Sequence, residues 1–374
     1  MNSHPRLSRP YIFRRRLTAS AVLTAAALAL AALSYLPDGL FFRVYTPWSK
    51  AVSGGLGFLV SFAPFSVAEF MLYGLILWLI YGLVRSAIRA ARSTEGGRHL
   101  LDWGVTLLTV LCAALFWFTA AWGLQYRAPP LEERLGLEVG HYTEEQLADT
   151  ARFLLEQANA AAPLVRRGES GAMEAGFAEL ARMTVAAVEK LGREDPVFAG
   201  GLVTRPKRVT GAVWMDYLYI AGIYSPFTGE SNVNPNMAAA FLPETMAHEM
   251  AHRLGFAPEN DAGFVAFLAC IGADDPELRY SAALAAFHQC AGQIEDPALR
   301  AGLWAELTPY YRLEVERQAE TKEYIVPAIA EITGPIGSAA NDSYLKALGQ
   351  EDGVRSYGRV VDLLIAWRLA SAPD

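Results

Sequence analysis

The chain has no internal repeat and no low-complexity tract, so neither a repeat array nor a disordered tether forms its main body. It has no glycine loop followed by Lys-Ser or Lys-Thr, so nothing marks a phosphate-binding loop. It has no excess of positive charge. The net charge is −7, and the Arg clusters flank long apolar runs instead of forming a patch, which argues against nucleic-acid binding. Cysteine is scarce, with 3 in 374 residues. Cys112 falls inside an apolar run. Cys270 and Cys290 face an oxidising side under the topology below, where a disulfide is permitted, but nothing in the sequence brings their Cα atoms together. We expect both to be free and buried. Histidine is scarce too, with 6 in all, and two of them share one pentapeptide.

That pentapeptide is His248-Glu249-Met250-Ala251-His252. A helix turns once per 3.6 residues, so the two imidazoles sit one above the other on one face. Two rings so placed can grip one Zn²⁺ from the same side, and Glu249 can reach a water in the metal's open position. The pattern matches the HExxH signature of zinc metallopeptidases. Pro243 suits the first turn of a helix, Glu244 favours its positive end, and Gly255 can end it. A surface helix carrying two solvated His is the bland alternative. Met246, Ala247, Met250, Ala251 and Leu254 oppose it, because a helix apolar nearly all round is buried and its polar groups then need partners.

A catalytic zinc of this kind needs three protein ligands and an open position. Metzincins would carry a third His at position 258, but this chain has Pro258 there. Pro258 instead starts a second helix running to Ile271, with Glu259 and Asp261 in its first turn. Glu259 with Ala262 resembles the Glu-x-x-Ala pattern in which some membrane-bound gluzincins carry their third ligand. Asp261 shares a face with Phe264 and Leu268 and could point inward instead. Glu259 is the favoured third ligand and Asp261 the alternative.

The first third of the chain reads as membrane anchor, residues 1–126. Leu17 to Leu36 is an uncharged run of about twenty residues, enough to cross a bilayer core. Val67 to Val84 is nearly as long and holds one acid, Glu69, near its edge. Trp103 to Leu124 is a third, with Trp103 and Trp122 where aromatic belts form. Arg6, Arg9, Arg14, Arg15 and Arg16 precede the first run. Arg85, Arg89, Arg92 and Arg98 separate the second from the third. The positive-inside rule therefore puts the N-terminus in the cytoplasm and everything after Leu124 outside it. A cleaved signal peptide is the alternative for the first run, which is long for one. Between the first two runs, Phe41, Phe42, Tyr45, Trp48, Phe58 and Phe62 fit a segment lying in the interface or one packed on the soluble domain.

Residues 127–374 read as one extracytoplasmic domain. Thr143 with Gln146 makes a capping box for a helix to about Ala160. Further helices fit Ala172–Leu191, Pro276–Gly292, Pro297–Ala319 and Asp352–Ala370. Val209 to Tyr224 reads as one or two strands, and Ser231 to Pro235 as loop or short strand. The expected class is mainly α: three transmembrane helices, then a zincin-like α+β domain with a small antiparallel sheet. The Tyr219 to Ser225 run is the candidate edge strand beside the metal helix, or else an ordinary core strand.

The chain resembles the bacterial domain-of-unknown-function family numbered thirty-eight ten, whose members carry HExxH and are membrane proteins. The resemblance rests on Pro64-Phe65-Ser66-Val67, Gly222 to Glu230, Asn232-Val233-Asn234, His248 to Phe264, Asn341 to Lys346, Gly353 to Tyr357 and Val360 to Leu364. The family commonly has Glu at the position of Asp261 and Asn at that of Gly263. The resemblance implies a metallopeptidase without naming a substrate. Together with the motif it leads us to expect one catalytic Zn²⁺ on His248, His252 and Glu259, with Glu249 as general base. Tyr224, Tyr344 and Tyr357 are candidate donors to the oxyanion, with Tyr357 preferred. The expected partners are the lipid bilayer and a protein or peptide of the cell envelope. An inactive membrane-anchored scaffold is the main alternative, and a hydrolase of non-peptide bonds a third.

Overall fold

The computed structural model describes residues 9–348, 350 and 359–371. The first helices are α1 (Arg9–Leu33), α2 (Phe42–Val60), α3 (Val67–Ala91) and α4 (Gly96–Ala121). Of these, α1, α3 and α4 are long and apolar enough to cross a membrane, so the three expected spans are present and the chain reads as a membrane protein. Polar side chains stitch α1 to α4: Ser20 donates to Thr109 (3.1 Å) and Arg16 to Thr106 (2.7 Å). In a lipid surrounding such bonds hold helices together where the hydrophobic effect cannot.

α2 divides by face. Tyr45, Ser49, Ser53, Gly54 and Gly57 are buried against the rest of the protein, while Val44, Trp48, Phe58 and Leu59 are exposed. The packed reading of this segment therefore holds for its buried side, and its other side is an exposed apolar face. The buried side is made of small residues because backbones meet there. A Cβ on Gly57 would lie 2.7 Å from the carbonyl oxygen of Gly229, a turn residue held at φ +66°.

The remaining elements are α5 (Leu131–Leu135), α6 (Glu144–Ala161), α7 (Phe177–Glu194), β1 (Lys207–Arg208), α8 (Val213–Tyr217), β2 (Gly222–Ser225) and β3 (Glu230–Val233). Then follow α9 (Leu242–Arg253), α10 (Glu259–Ile271), α11 (Pro276–Gln293), α12 (Pro297–Glu306), α13 (Tyr310–Glu320), α14 (Pro327–Ala347) and α15 (Val360–Ser371). The fold is mostly helical, as expected. The capping box of α6 forms with both of its bonds. One continuous core joins α6, α7, α9, α10, α11 and α15, with Met246, Met250, Phe264 and Tyr280 fully buried in it. Cys270 and Cys290 are free and buried.

Three sequence expectations are corrected. The sheet is mixed, not antiparallel: in the order β1-β3-β2, β2 pairs antiparallel to β3 and β1 parallel to it. A tight turn forces β2 and β3 antiparallel, whereas α8 and β2 intervene between β1 and β3 and free their direction. The strand expected from Val209 shrinks to Gly222–Ser225, because Val213–Tyr217 is a helical turn that buries Asp216 among Asn234, Asn236 and Tyr324. The helix expected over 297–319 is two, broken at Thr308-Pro309.

The part of the chain after the spans is fastened to them by carboxylates. Glu230 accepts from the N–H groups of Val67 (3.0 Å) and Ala68 (2.7 Å), the first turn of α3, and pairs with Lys207 at 2.9 Å. Glu69, the acid at the edge of the second span, accepts from the amides of Thr210 (2.8 Å) and Gly211 (2.7 Å). Glu230 is 3% exposed, so Glu230→Ala takes the counter-charge from Lys207, which keeps only the Val60 and Phe65 carbonyls, and leaves two helix-end amides without their acceptor. The expected cost is about 3 kcal/mol. It should appear as a lower unfolding midpoint of the detergent-solubilised protein and faster proteolysis between α3 and β3. An unchanged midpoint would dismiss this fastening as incidental.

Candidate metal centre

α9 presents His248 and His252 one turn apart, with ring centroids 4.7 Å apart. Gly255, at φ +90°, turns the chain out of the helix, and Pro258 opens α10 at Glu259. The short turn brings the first residue of α10 back over the two rings. Glu259 Oε2 lies 3.1 Å from His248 Nε2 and 3.5 Å from His252 Nε2. One ligand atom from each of the three residues lies within 4.8 Å of the others.

The donor set fits a metal. His252 Nδ1 sits 2.9 Å from the carbonyl oxygen of Phe256. A carbonyl only accepts, so Nδ1 carries a proton, and it is Nε2 that faces the centre. This is how a second ring nitrogen orients a metal-binding imidazole. Two nitrogens and one carboxylate oxygen match the protein donors that catalytic zinc sites use.

The electrostatics of the site agree. Burial alone would lower the His248 pKa, but the hydrogen bond and charge of Glu259, with Glu249 and Glu244 adding to it, raise it to about 9. Burial alone would raise Glu259, but the charge of His252 and the hydrogen bonds from both rings hold it well below the usual carboxylate range. In the metal-free protein a proton thus occupies the place between His248 and Glu259 that a cation would take.

Glu249 is 5% exposed, and its Oε2 has no hydrogen-bond partner among the described residues. Burial raises its pKa to about 7, against the charges of His252 and His248. Gly222 makes room for it, since a Cβ there would lie 2.5 Å from Glu249 Oε1. Ser231 on β3 donates to the Glu249 carbonyl (2.8 Å) and ties the helix to the sheet.

Asp261, the alternative ligand, is not in the cluster. Two residues along a helix are a turn of about 200°, so Asp261 leaves on the side opposite Glu259. Its neighbours are Asn260, which donates to it at 2.9 Å, and the charges of Glu132 and Arg134. Burial, with Glu132 adding, raises its pKa to about 7. Of the three candidate tyrosines, Tyr224 donates to Ser53 (2.8 Å) and belongs to the seam with α2. Tyr344 is hydrogen-bonded to Tyr126 and close enough to Glu259 to feel its charge. Tyr357 lies outside the described residues.

Two site residues escaped the sequence reading. Trp122 donates from its indole to the carbonyl of His252 (2.8 Å), although its place near a span end marked it only as a belt residue. Glu244 lies one turn before His248 on the same face, and burial raises its pKa against the pull of His248.

No curated protein and no solved structure matches the chain. The family described as Protein of unknown function (DUF3810) matches residues 45–365, a stretch that runs from α2 to α15 and holds every residue of the candidate centre. The chain is therefore a member of this bacterial family.

Proposed function

We propose that the protein is a membrane-anchored zinc metallopeptidase that cuts proteins or peptides of the cell envelope. One observation carries this reading: two imidazoles, that of His252 oriented by a backbone carbonyl, and a carboxylate converge beside a buried carboxylate whose Oε2 has no hydrogen-bond partner among the described residues. A structural site has no use for that fourth group. A divalent cation in the centre, Zn²⁺ by donor preference, would acidify a water and polarise the substrate carbonyl.

The chain's own residues do the rest. His248, His252 and Glu259 hold the ion. Glu249, tuned near neutrality, takes a proton from the attacking water at Oε2 and hands it to the leaving amine. Tyr344 supplies a hydroxyl on the Glu259 side for the developing oxyanion. The positive-inside asymmetry of the Arg residues supports an extracytoplasmic position for the site.

The test uses the full chain in detergent, stripped with chelator, with an unfolded protein as substrate. Fragments should appear only when Zn²⁺ is restored. No fragmentation in either state would move the protein to the scaffold class.

Zinc affinity should also depend on pH with a defined sign. Binding displaces the proton on His248, whose pKa stands at about 9. Affinity therefore rises about tenfold per pH unit up to about pH 9 and levels off above it. Competition against a chelating indicator measures this. A flat profile would mean that His248 is not a ligand.

A further inference from the structure

We infer that the strand beside the centre receives an extended chain that is itself anchored in the bilayer, so that the enzyme cuts membrane-tethered substrates a few residues outside their span. The inference rests on the peptidase reading and adds the substrate class.

Among the described residues, β2 is an edge strand of the sheet. The bond from Asn234 N–H to the Ala221 carbonyl (2.8 Å) fixes the phase of the ladder. In an antiparallel pair, residues alternate between facing the partner strand and facing away from it. The N–H and C=O groups of Gly222 and Tyr224 therefore lie on the outer side, where an added strand can pair with them.

The two ends of β2 are unlike. Its first residue, Gly222, lies against Glu249. Its last is followed by Pro226, whose carbonyl accepts from the indole N–H of Trp117 at 3.1 Å. Trp117 belongs to α4, inside the third span. Between these ends, Tyr224 packs on Trp122 with centroids 5.2 Å apart, and Trp122 follows the last residue of α4. The strand thus runs from the catalytic carboxylate to the aromatic collar of the membrane helices.

That collar has an apolar, exposed rim. Phe227 at the tip of the β2–β3 turn, Trp48 on α2 and Phe62 just after it are all exposed. Trp48 also donates to the Ala120 carbonyl at the end of α4 (3.1 Å), which places it at the same level. Aromatic side chains that are apolar on one side and bonded on the other belong at a membrane–water interface.

Four strand residues at about 3.3 Å each cover about 13 Å. A chain leaving the bilayer beside Trp117 and pairing along β2 therefore reaches Glu249 after about four residues. A soluble peptide can pair with the same edge. The tethered one arrives at far higher effective concentration and in one register.

The experiment uses the full chain, loaded with Zn²⁺ in lipid nanodiscs. The probe is a peptide library with a degenerate twelve-residue tail, supplied on an apolar span in the same discs or free in solution. Anchored tails should be cut at least about tenfold faster, with cuts clustered about three to six residues from the span whatever the sequence. A four-residue spacer between span and tail should move the cut along the sequence and keep its distance from the bilayer. Equal rates for the two forms, or a cut that follows the sequence, overturns the inference and leaves the peptidase standing.

A second readout does not need turnover. In a Glu249→Gln background, a photo-crosslinking phenylalanine analogue at Ile223, exposed on β2, should capture anchored tails in preference to free ones. Capture of anchored tails with no cutting by the active chain would retain the docking geometry and sink the peptidase. Indiscriminate capture, or none, would sink the docking.

Discussion

Glu249→Gln should lower peptide hydrolysis by about 10²–10⁴-fold while bound zinc stays at the wild-type level. The substitution keeps the shape that fits over Gly222 and leaves His248, His252 and Glu259 untouched. It removes only the oxygen that can take and return a proton. Misfolding can be told apart from loss of chemistry. The wild-type carboxylate is buried, with one oxygen that has no partner among the described residues, and its pKa is raised above the value it has when unfolded. Such a group destabilises the folded state as pH rises through its unfolded value, so a neutral amide leaves the metal-free protein at least as stable near pH 7. The variant should therefore combine an unchanged or higher unfolding midpoint with an inactive, metal-loaded site. Tyr344→Phe makes the contrast. It keeps the base and the metal and should cost about a hundredfold in kcat. Turnover and elemental analysis on the same preparations decide both. A Gln variant of full activity would remove Glu249 from the mechanism.

What could be read in the sequence follows from which residues carry their own local signal. Apolar runs as long as a bilayer is thick mark α1, α3 and α4, and Thr143, Pro243 and Pro276 mark helix starts. The i, i+4 spacing alone places His248 and His252 on one face. What was missed is held by tertiary contacts. α14 carries Gly334, Pro335 and Gly337, which speak against a helix, yet it forms over 21 residues. The ring of Tyr219 occupies the space over Gly334, and the Leu218 carbonyl that beside Gly337, where no Cβ could fit. β1 is two residues long and has no alternation to read. α8 consists of residues that would serve equally in a strand, and Asp216 decides the matter only because Asn234, Asn236 and Tyr324 arrive from elsewhere. The third ligand turned on where α10 begins, since a shift of two residues would exchange the directions of Glu259 and Asp261.

Glu259→Ala should abolish zinc binding, and Asp261→Asn should leave it intact. The wild type is expected to hold about one Zn²⁺ per chain, with His248→Ala and His252→Ala behaving like Glu259→Ala. The asymmetry between the two acids comes from helix phase. Glu259 meets both Nε2 atoms, at 3.1 and 3.5 Å, whereas Asp261 faces Asn260 and Arg134 on the far side of α10. The metal-free variants should also differ in stability, in a way that separates a lost ligand from a lost fold. In the wild type the His248 pKa is raised, so its pairing with Glu259 stabilises fully at low pH and fades as pH climbs through about 9. Glu259 is lowered, so its share is present at neutral pH and is lost on acidification. Glu259→Ala removes both shares and leaves the metal-free chain less stable near neutral pH, converging on the wild type above about pH 9. Asp261→Asn replaces an acid whose burial raises its pKa, so it should be neutral or stabilising there. Elemental analysis of the full chains in detergent, with unfolding midpoints at pH 7 and above pH 9, reads both effects. Zinc retained by Glu259→Ala and lost from Asp261→Asn would reverse the assignment and require α10 to begin with its other face toward the histidines.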